Sequence, residues 1–397
     1  MSKSVVVIGH GMVGHRFVEA LRSRDEANTW SVTVLCDEQY AAYDRVGLSS
    51  YVGAWDPKEL ALAGNDYIGD SLVDLRVGEG GLSIDKDART VTTTTGDTLS
   101  YDALVMATGS YPFVPPVPGH DTDGCFVYRT LDDLDGIRAA AEKAGKGAVG
   151  VVVGGGLLGL EAANALSLMG MTAHVVEHNA RLMPMQVDEG GGALLARLVT
   201  ELGLTVHTGV GTAGISQADN GIVVELSDGS TIDASLLVFS AGVRPRDQLA
   251  RDAGIAVGER GGILTDLGCV TSDENIYAVG ECAAVEGRCY GLVAPGYTTA
   301  RSWPTVCSAA LQISRVPTCP PSSSSWVSTS PASVTRWPPR PVLSKWSSAT
   351  QPRERTPSLS SRTTRRSCSA EFLWGTRRRT RHCDRWSVAN CPVTQRH

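Results

Sequence analysis

Short, mostly apolar runs punctuate the chain at residues 4–8, 32–35, 103–106, 148–153, 172–176 and 236–239, none longer than one strand. Polar and apolar residues do not alternate cleanly within them. Both faces of each predicted strand are therefore covered, as in a parallel sheet flanked by other layers. Between the first two runs apolar positions repeat at helical spacing from Phe17 to Leu21, and between the fourth and fifth from Leu160 to Met169. The pattern predicts strand, helix, strand, and then the same unit again from residue 148.

The joint between strand and helix is glycine-rich in both units. Gly9-His10-Gly11-Met12-Val13-Gly14 follows the first strand, and Gly154-Gly155-Gly156-Leu157-Leu158-Gly159 follows the fourth. In a G-x-G-x-x-G loop the first glycine makes a tight turn and the second lets backbone approach a pyrophosphate. The third lets the helix pack on its strand, with its N-terminus facing the phosphates. Each following strand ends at an acid. Asp37, with Glu38 the near alternative, is placed to accept both hydroxyls of an adenosine ribose, and Glu177 to do so in the second unit. Glu177 repels a 2′-phosphate and no Arg follows until Arg181, so the second site is expected to take NADH rather than NADPH. One such loop also marks plain tight turns. Two of them, each with strand, helix and acid, predict an α/β fold with two dinucleotide-binding units, one for a prosthetic flavin and one for a diffusible nicotinamide.

Composition bounds the reading. A chain of 397 residues suffices for two or three domains. Its ten cysteines contain no C-x-x-C pair, so neither a disulfide framework nor a thiolate metal site is suggested, and no metal ligands are assigned. No apolar run approaches the roughly 18 residues of a membrane span, and no secretory leader precedes the first strand, so the expected compartment is the cytoplasm. The net charge of −6 conceals a boundary. Residues 1–300 hold 20 Lys and Arg against 39 Asp and Glu, a net of −19, whereas residues 301–397 hold 16 against 3, a net of +13.

Further motifs follow the loops in a set order. Ala107-Thr108-Gly109 closes the 103–106 strand, and the segment from 236 to 245, with Gly242 in it, is a strand and return crossing. Thr271-Ser-Asp-Glu-Asn-Ile-Tyr-Ala-Val-Gly280-Glu281 matches T-x-x-x-x-[IV]-[YF]-A-x-G-[DE]. Together these resemble the two-dinucleotide-binding-domain flavoproteins, over residues 4 to about 300. The resemblance implies that Glu281 bonds the flavin ribitol, with Gly280 and residues 107–109 beside FAD. It places Glu161 near the nicotinamide and flavin rings and Gly242 on the NADH side. No C-x-x-x-x-C follows the second strand, so a dithiol relay is excluded. The stretch Ala42-Tyr43-Asp44-Arg45-Val46-Gly47-Leu48-Ser49-Ser50-Tyr51 departs from the Y-x-R-P-x-L-S-K of related ferredoxin reductases, with Val46 for the Pro and Ser50 for the Lys that approaches the flavin. It is similar instead to the large-subunit group of NADH-dependent nitrite reductases, as are residues 128–134, 278–283 and 290–297. By that resemblance Arg45 contacts the flavin or its phosphates.

The resemblance also implies two interleaved Rossmann-like, three-layer ββα domains, a division of the chain between them and a chemistry. The FAD-binding domain is expected in 1–111 plus 243–300, and the NADH-binding domain in 112–242. Hydride passes from NADH to the flavin, and electrons leave singly toward an acceptor. In the nitrite reductase group they reach iron–sulfur centres and sirohaem, which reduce nitrite to ammonium, and those modules lie beyond this chain. The expected partners are NADH and an iron–sulfur/sirohaem module or small iron–sulfur protein, with neither nucleic acid nor membrane. A stand-alone NADH:ferredoxin or rubredoxin reductase and an inactive truncated product remain the alternatives.

The basic segment 301–397 holds six of the eight Trp, five of the ten Cys and one of the 43 Gly. A nucleic-acid-binding arm and a disordered tail are possible readings. The preferred one is a frameshift. In a GC-rich gene, third codon positions moved into second place encode Ser, Pro, Thr, Ala, Arg, Trp, Cys and Gly, which, apart from its scarcity of Gly, is the composition of this segment. Shifting residues 322–326 back yields K-L-K-L-L, and residues 357–374 an alternating apolar string like A-K-L-V-V-S-D-D-A-K-V-L-L-G-G-I-L-V. Those strings have strand periodicity and resemble the interface domain of the same group.

Overall fold

The computed structural model describes residues 3–64 and 66–308, with side chains as far as residue 301. The out-of-frame reading concerns residues that lie, but for the first few, outside the described ones.

The lack of alternation in the strands has a direct structural cause. Along Lys3–Ile8, Val5 and Val7 pack with Phe17, Val18 and Leu21 of the helix Met12–Arg22. Val6 and Ile8 point the other way and pack with Ile84 and Val91 of an antiparallel sheet. The second half repeats this. Val152, Val175 and Val238 join Leu160, Ala163 and Leu166 of the helix Leu157–Leu168, while Val151, Val153 and Val176 join Ile215, Ile222 and Val224. Side chains that alternate across a strand both meet an apolar layer, so neither face selects polar residues.

Two five-stranded parallel sheets result. The first runs Ile276–Ala278, Ala103–Met106, Lys3–Ile8, Trp30–Cys36, Val73–Val77 in space. The second runs Cys125–Val127, Leu236–Phe239, Val149–Val153, Thr172–Glu177, Thr205–Thr208. In both, the strand that feeds a glycine loop is central. The strand after its helix lies on one side, and the strand that closes the unit lies on the other. Each sheet has its own three-stranded antiparallel layer, residues 81–100 for the first and 212–234 for the second. The fold is the doubly repeated α/β arrangement expected from the loops. The chain leaves the first half and returns to it along one antiparallel pair, Ser110–Pro112 with Val243–Pro245.

One helix is not explained by its own half. Leu157–Leu168 is apolar on almost every face, because the helix Leu48–Ala54 covers its second side: Leu48, Tyr51 and Val52 share one core with Leu160, Ala162 and Ala163. The segment behind Arg45 is thereby clamped onto the second half.

Candidate functional site

Both glycine loops leave a central strand at its carboxyl end, the position where open α/β sheets place their ligands. Gly9 has φ +107°, and a Cβ there would lie 2.3 Å from the Ala107 carbonyl oxygen. Gly154 has φ +120°, and its Cβ would lie 2.3 Å from that of Ser240. The third glycines are just as closed: a Cβ on Gly14 would meet the Gly9 carbonyl oxygen at 2.1 Å, and one on Gly159 the Gly154 oxygen at 1.9 Å. The middle glycines differ. Gly11 has nothing nearer than the Arg45 side chain at 4.0 Å, and Gly156 has nothing within 4 Å. Gly11 and Gly156 are also the N-caps of their helices, and neither offers a side-chain acceptor. The first-turn N–H groups of both helices therefore face an open cradle, which suits a pyrophosphate.

The acids differ between the halves. The Gly9 amide donates to the Leu35 carbonyl at 2.9 Å, and that of Gly154 to Val176 at 2.8 Å. By this register Glu177 corresponds to Cys36, and Asp37 lies one residue further out. Glu177 is 7% exposed, and its carboxylate accepts from the amides of Gly155 at 2.6 Å and Asn179 at 2.7 Å and from Asn179 Nδ2 at 2.6 Å. Glu177 is thus engaged by its own loop through both carboxylate oxygens. Asp37 is exposed and forms an ion pair with Arg246 Nη1 at 2.6 Å. Glu38 pairs with Arg45 and accepts from Tyr43 Oη at 2.8 Å.

A single pocket gathers most of the first-half residues. Gly9, Gly11, Asp37, Glu38, Arg45, Ala107, Thr108 and Gly109 line it, joined by His10, Cys36, Ser110, Arg129, Thr130 and Arg246. Beside it, Glu281 Oε2 accepts from Ser110 Oγ at 2.8 Å and from Arg129 Nη2 at 2.7 Å. Burial opposes the charge on Glu281, but Arg129 and Ser110 outweigh it and hold the carboxyl below its ordinary value. Both bonds fall on Oε2. Gly280, at φ +80°, lets the first helix pack close, since a Cβ there would come within 3.1 Å of Val13. Arg45 also donates to Tyr43 Oη at 2.8 Å and to the Arg129 carbonyl at 3.2 Å. Arg45 is thus fixed at the pocket by three partners.

The remaining expected residues are further out. Glu161 is half-buried on the helix Leu157–Leu168, close enough to Tyr128 to oppose its ionisation. Ser50 is exposed on Leu48–Ala54, whereas its neighbour Ser49 bonds Tyr128 Oη at 3.2 Å. Gly242 sits in the return crossing, its carbonyl accepting from Phe113 at 2.8 Å. Sequence reasoning named Arg129 only inside a resemblance and did not single out His10, Ser110 or Arg246. Among the described residues there is no cluster that could hold a metal and no helix long and apolar enough to cross a membrane.

Known proteins share this arrangement. The family profile described as "Pyridine nucleotide-disulphide oxidoreductase" matches residues 3–312. The nitrite reductase [NAD(P)H] large subunit of Klebsiella oxytoca is 52% identical over 301 residues, 76% of this chain and 31% of that protein. The chain thus spans about a third of that relative's length. Rubredoxin-NAD(+) reductase of Alcanivorax borkumensis is 33% identical over 75% of this chain and 77% of its own. A solved ferredoxin reductase for the CYP199A2 system of Rhodopseudomonas palustris superposes with a TM-score of 0.69 at 27% identity, over 79% of this chain and 78% of that one. With two glycine cradles on two like sheets and a match across residues 3–312, the chain belongs to the pyridine nucleotide-disulphide oxidoreductase family.

Proposed function

We propose that this chain is the electron-input part of a nitrite reductase, taking hydride from NADH and passing electrons to an iron–sulfur acceptor through FAD. The observation that carries this reading is the duplication itself: two closed–open–closed glycine cradles, one on each sheet. We assign residues 1–111 and 243–300 to FAD and 112–242 to NADH. When bound, FAD supplies the conversion of a two-electron donor into single electrons. The protein's part is binding and orientation. The helix N-termini behind Gly11 and Gly156 hold the two pyrophosphates. Asp37 accepts the adenosine ribose hydroxyls by exchanging its bond to Arg246. Glu281 stays ionised and accepts a ribitol hydroxyl on Oε1. Arg45, fixed by Glu38 and Tyr43, presents its charge to the phosphates. Glu161 stands by the reacting rings, and Gly242 and Glu177 border the nicotinamide nucleotide, with Glu177 stiffening the loop and disfavouring a 2′-phosphate.

The test is the purified full chain, loaded with FAD. It should bleach anaerobically with NADH, at least about tenfold faster than with NADPH, and reduce an artificial one-electron acceptor. It should produce no ammonium from nitrite on its own. A second reading, a stand-alone NADH:rubredoxin or ferredoxin reductase, is favoured by one fact: the chain covers 77% of the rubredoxin reductase relative. Fast cytochrome reduction that requires added rubredoxin or ferredoxin selects it. A full-length chain that takes up no FAD selects the inactive product.

A further inference from the structure

Behind the first glycine loop lies a buried polar layer that the proposed chemistry does not use. His10, Tyr67 and His15 are 4%, 4% and 2% exposed. The Ala42 amide is 3.0 Å from His10 Nδ1, and His10 Nε2 is 2.8 Å from Tyr67 Oη. That oxygen is 2.6 Å from His15 Nδ1, and His15 Nε2 is 3.1 Å from the Ala63 carbonyl. The two ends assign every hydrogen. An amide only donates, so His10 Nδ1 accepts and its Nε2 carries the hydrogen. A carbonyl only accepts, so His15 Nε2 carries its hydrogen and its Nδ1 accepts. Tyr67 therefore receives from His10 and donates to His15. Only this arrangement satisfies all the groups, and it needs both imidazoles neutral.

Electrostatics agree with that geometry. Burial, helped by the nearby His15, lowers His10 to about 4. Burial also lowers His15, although the Ala63 carbonyl and Glu19 act against it and Arg16 with it. Tyr67 is pushed up by burial, then by Glu19 and Cys36. These are the charged and titratable groups that face the chain, from the helix Met12–Arg22 and the strand Trp30–Cys36.

His10 stands between Gly9 and Gly11 and lines the first pocket. Ala42 belongs to the segment that carries Asp37, Glu38, Tyr43 and Arg45. We propose that His10 is a positioning residue for the first nucleotide site: its neutral Nδ1 ties the 37–45 segment to the glycine loop, and Tyr67 and His15 hold it in the tautomer able to do so. This rests on the reading of that site as the FAD site. It acts through Ala42, not on the cofactor. Protonation at Nδ1 sets two donors face to face and releases the segment.

The experiment follows FAD release from the loaded full chain by flavin fluorescence, as pH falls from neutrality to about 4. His10→Leu removes the acceptor and should speed release about tenfold or more, and Tyr67→Phe, which strands His10 Nε2 and His15 Nδ1, about tenfold. His10→Asn places an amide oxygen near the Nδ1 position and should stay within about threefold of wild type at neutral pH. Wild-type release should accelerate by up to about tenfold per pH unit below the ordinary histidine value of 6.5. His10→Asn should lose that one-proton component. Unchanged release from His10→Leu or Tyr67→Phe, or a full wild-type pH profile in His10→Asn, overturns the inference alone. A wild-type chain that takes up no FAD overturns the site's reading and the inference with it.

Discussion

The two halves are built on one plan and differ at the acid. In the second half Glu177 is buried and bonded to its own glycine loop, so that cradle is finished before any ligand arrives. In the first half the equivalent register position is the buried thiol Cys36, and the acid is moved outward to Asp37, exposed and paired with Arg246. The first pocket is also walled by segments distant in the chain, Arg129 and Arg246 among them. On the proposed assignment of FAD to the first half and NADH to the second, the difference shows how one fold serves two clients. A diffusible nucleotide needs a rigid cradle with an open door. A prosthetic group needs a pocket assembled by several segments, so that its release requires several contacts to break together.

The largest test of that comparison is to close the turns. Gly9→Ala and Gly154→Ala each force a methyl to 2.3 Å from a backbone oxygen at φ of +107° and +120°. Each should destabilise the protein by at least about 3 kcal/mol. In the fraction that folds, Gly154→Ala should keep its yellow flavin and lose bleaching by NADH, whereas Gly9→Ala should lose the flavin. Loss of both functions in both variants, by absorbance and stopped flow, would make the halves one unit rather than two.

Next in size is Glu281→Gln. It leaves the Arg129 guanidinium without its charge partner and should cost about 2 kcal/mol, read as a lowered denaturation midpoint and FAD content. The pH sign follows from the lowered carboxyl. Because the folded value lies below 4.5, the charge stabilises the protein above that pH, and the contribution is lost as pH falls through the folded value. The acid limb of the stability profile should flatten in the variant. An unaltered limb would remove Glu281 from the list of stabilising charges.

Smaller effects separate cradle from fold. Gly11→Ala and Gly156→Ala meet open space, so stability should change by less than about 1 kcal/mol. Ligand binding should weaken about tenfold in each, as faster FAD release for the first and a raised KM for NADH for the second. A Gly156→Ala enzyme with unchanged KM would mean that the nicotinamide nucleotide does not lie on that helix end.

The smallest effect belongs to the exposed pair. Arg246→Gln should change stability by less than about 1 kcal/mol and FAD release by two- to fivefold, with the difference vanishing at high salt. A salt-independent change would place Arg246 on the ligand instead of on Asp37.

Much of this was readable along the chain because it is local. Strand, glycine loop, helix and acid lie within about thirty residues of one another in a βαβ unit, and each glycine spacing answers to a steric demand inside that unit. Both loops, the strand cores and the acidic ends of the second strands were therefore visible. What escaped depends on long-range approach. Arg246 reaches Asp37 across 209 residues, Arg129 reaches Glu281 across 152, and His10 meets Tyr67 across 57. No periodicity marks such pairs. The acids themselves show the limit: Asp37 and Glu177 read alike in sequence, but the register of the second strand sets one outside and the other inside.

The sequence by itself determined the repeated α/β plan, the two glycine cradles and the candidate acids, since backbone sterics and strand periodicity act between near neighbours. Only the tertiary structure decided which acid is open, which charge faces Glu281 and which tautomer His10 adopts. Those outcomes depend on which distant groups the packed layers bring within hydrogen-bond reach and withdraw from water.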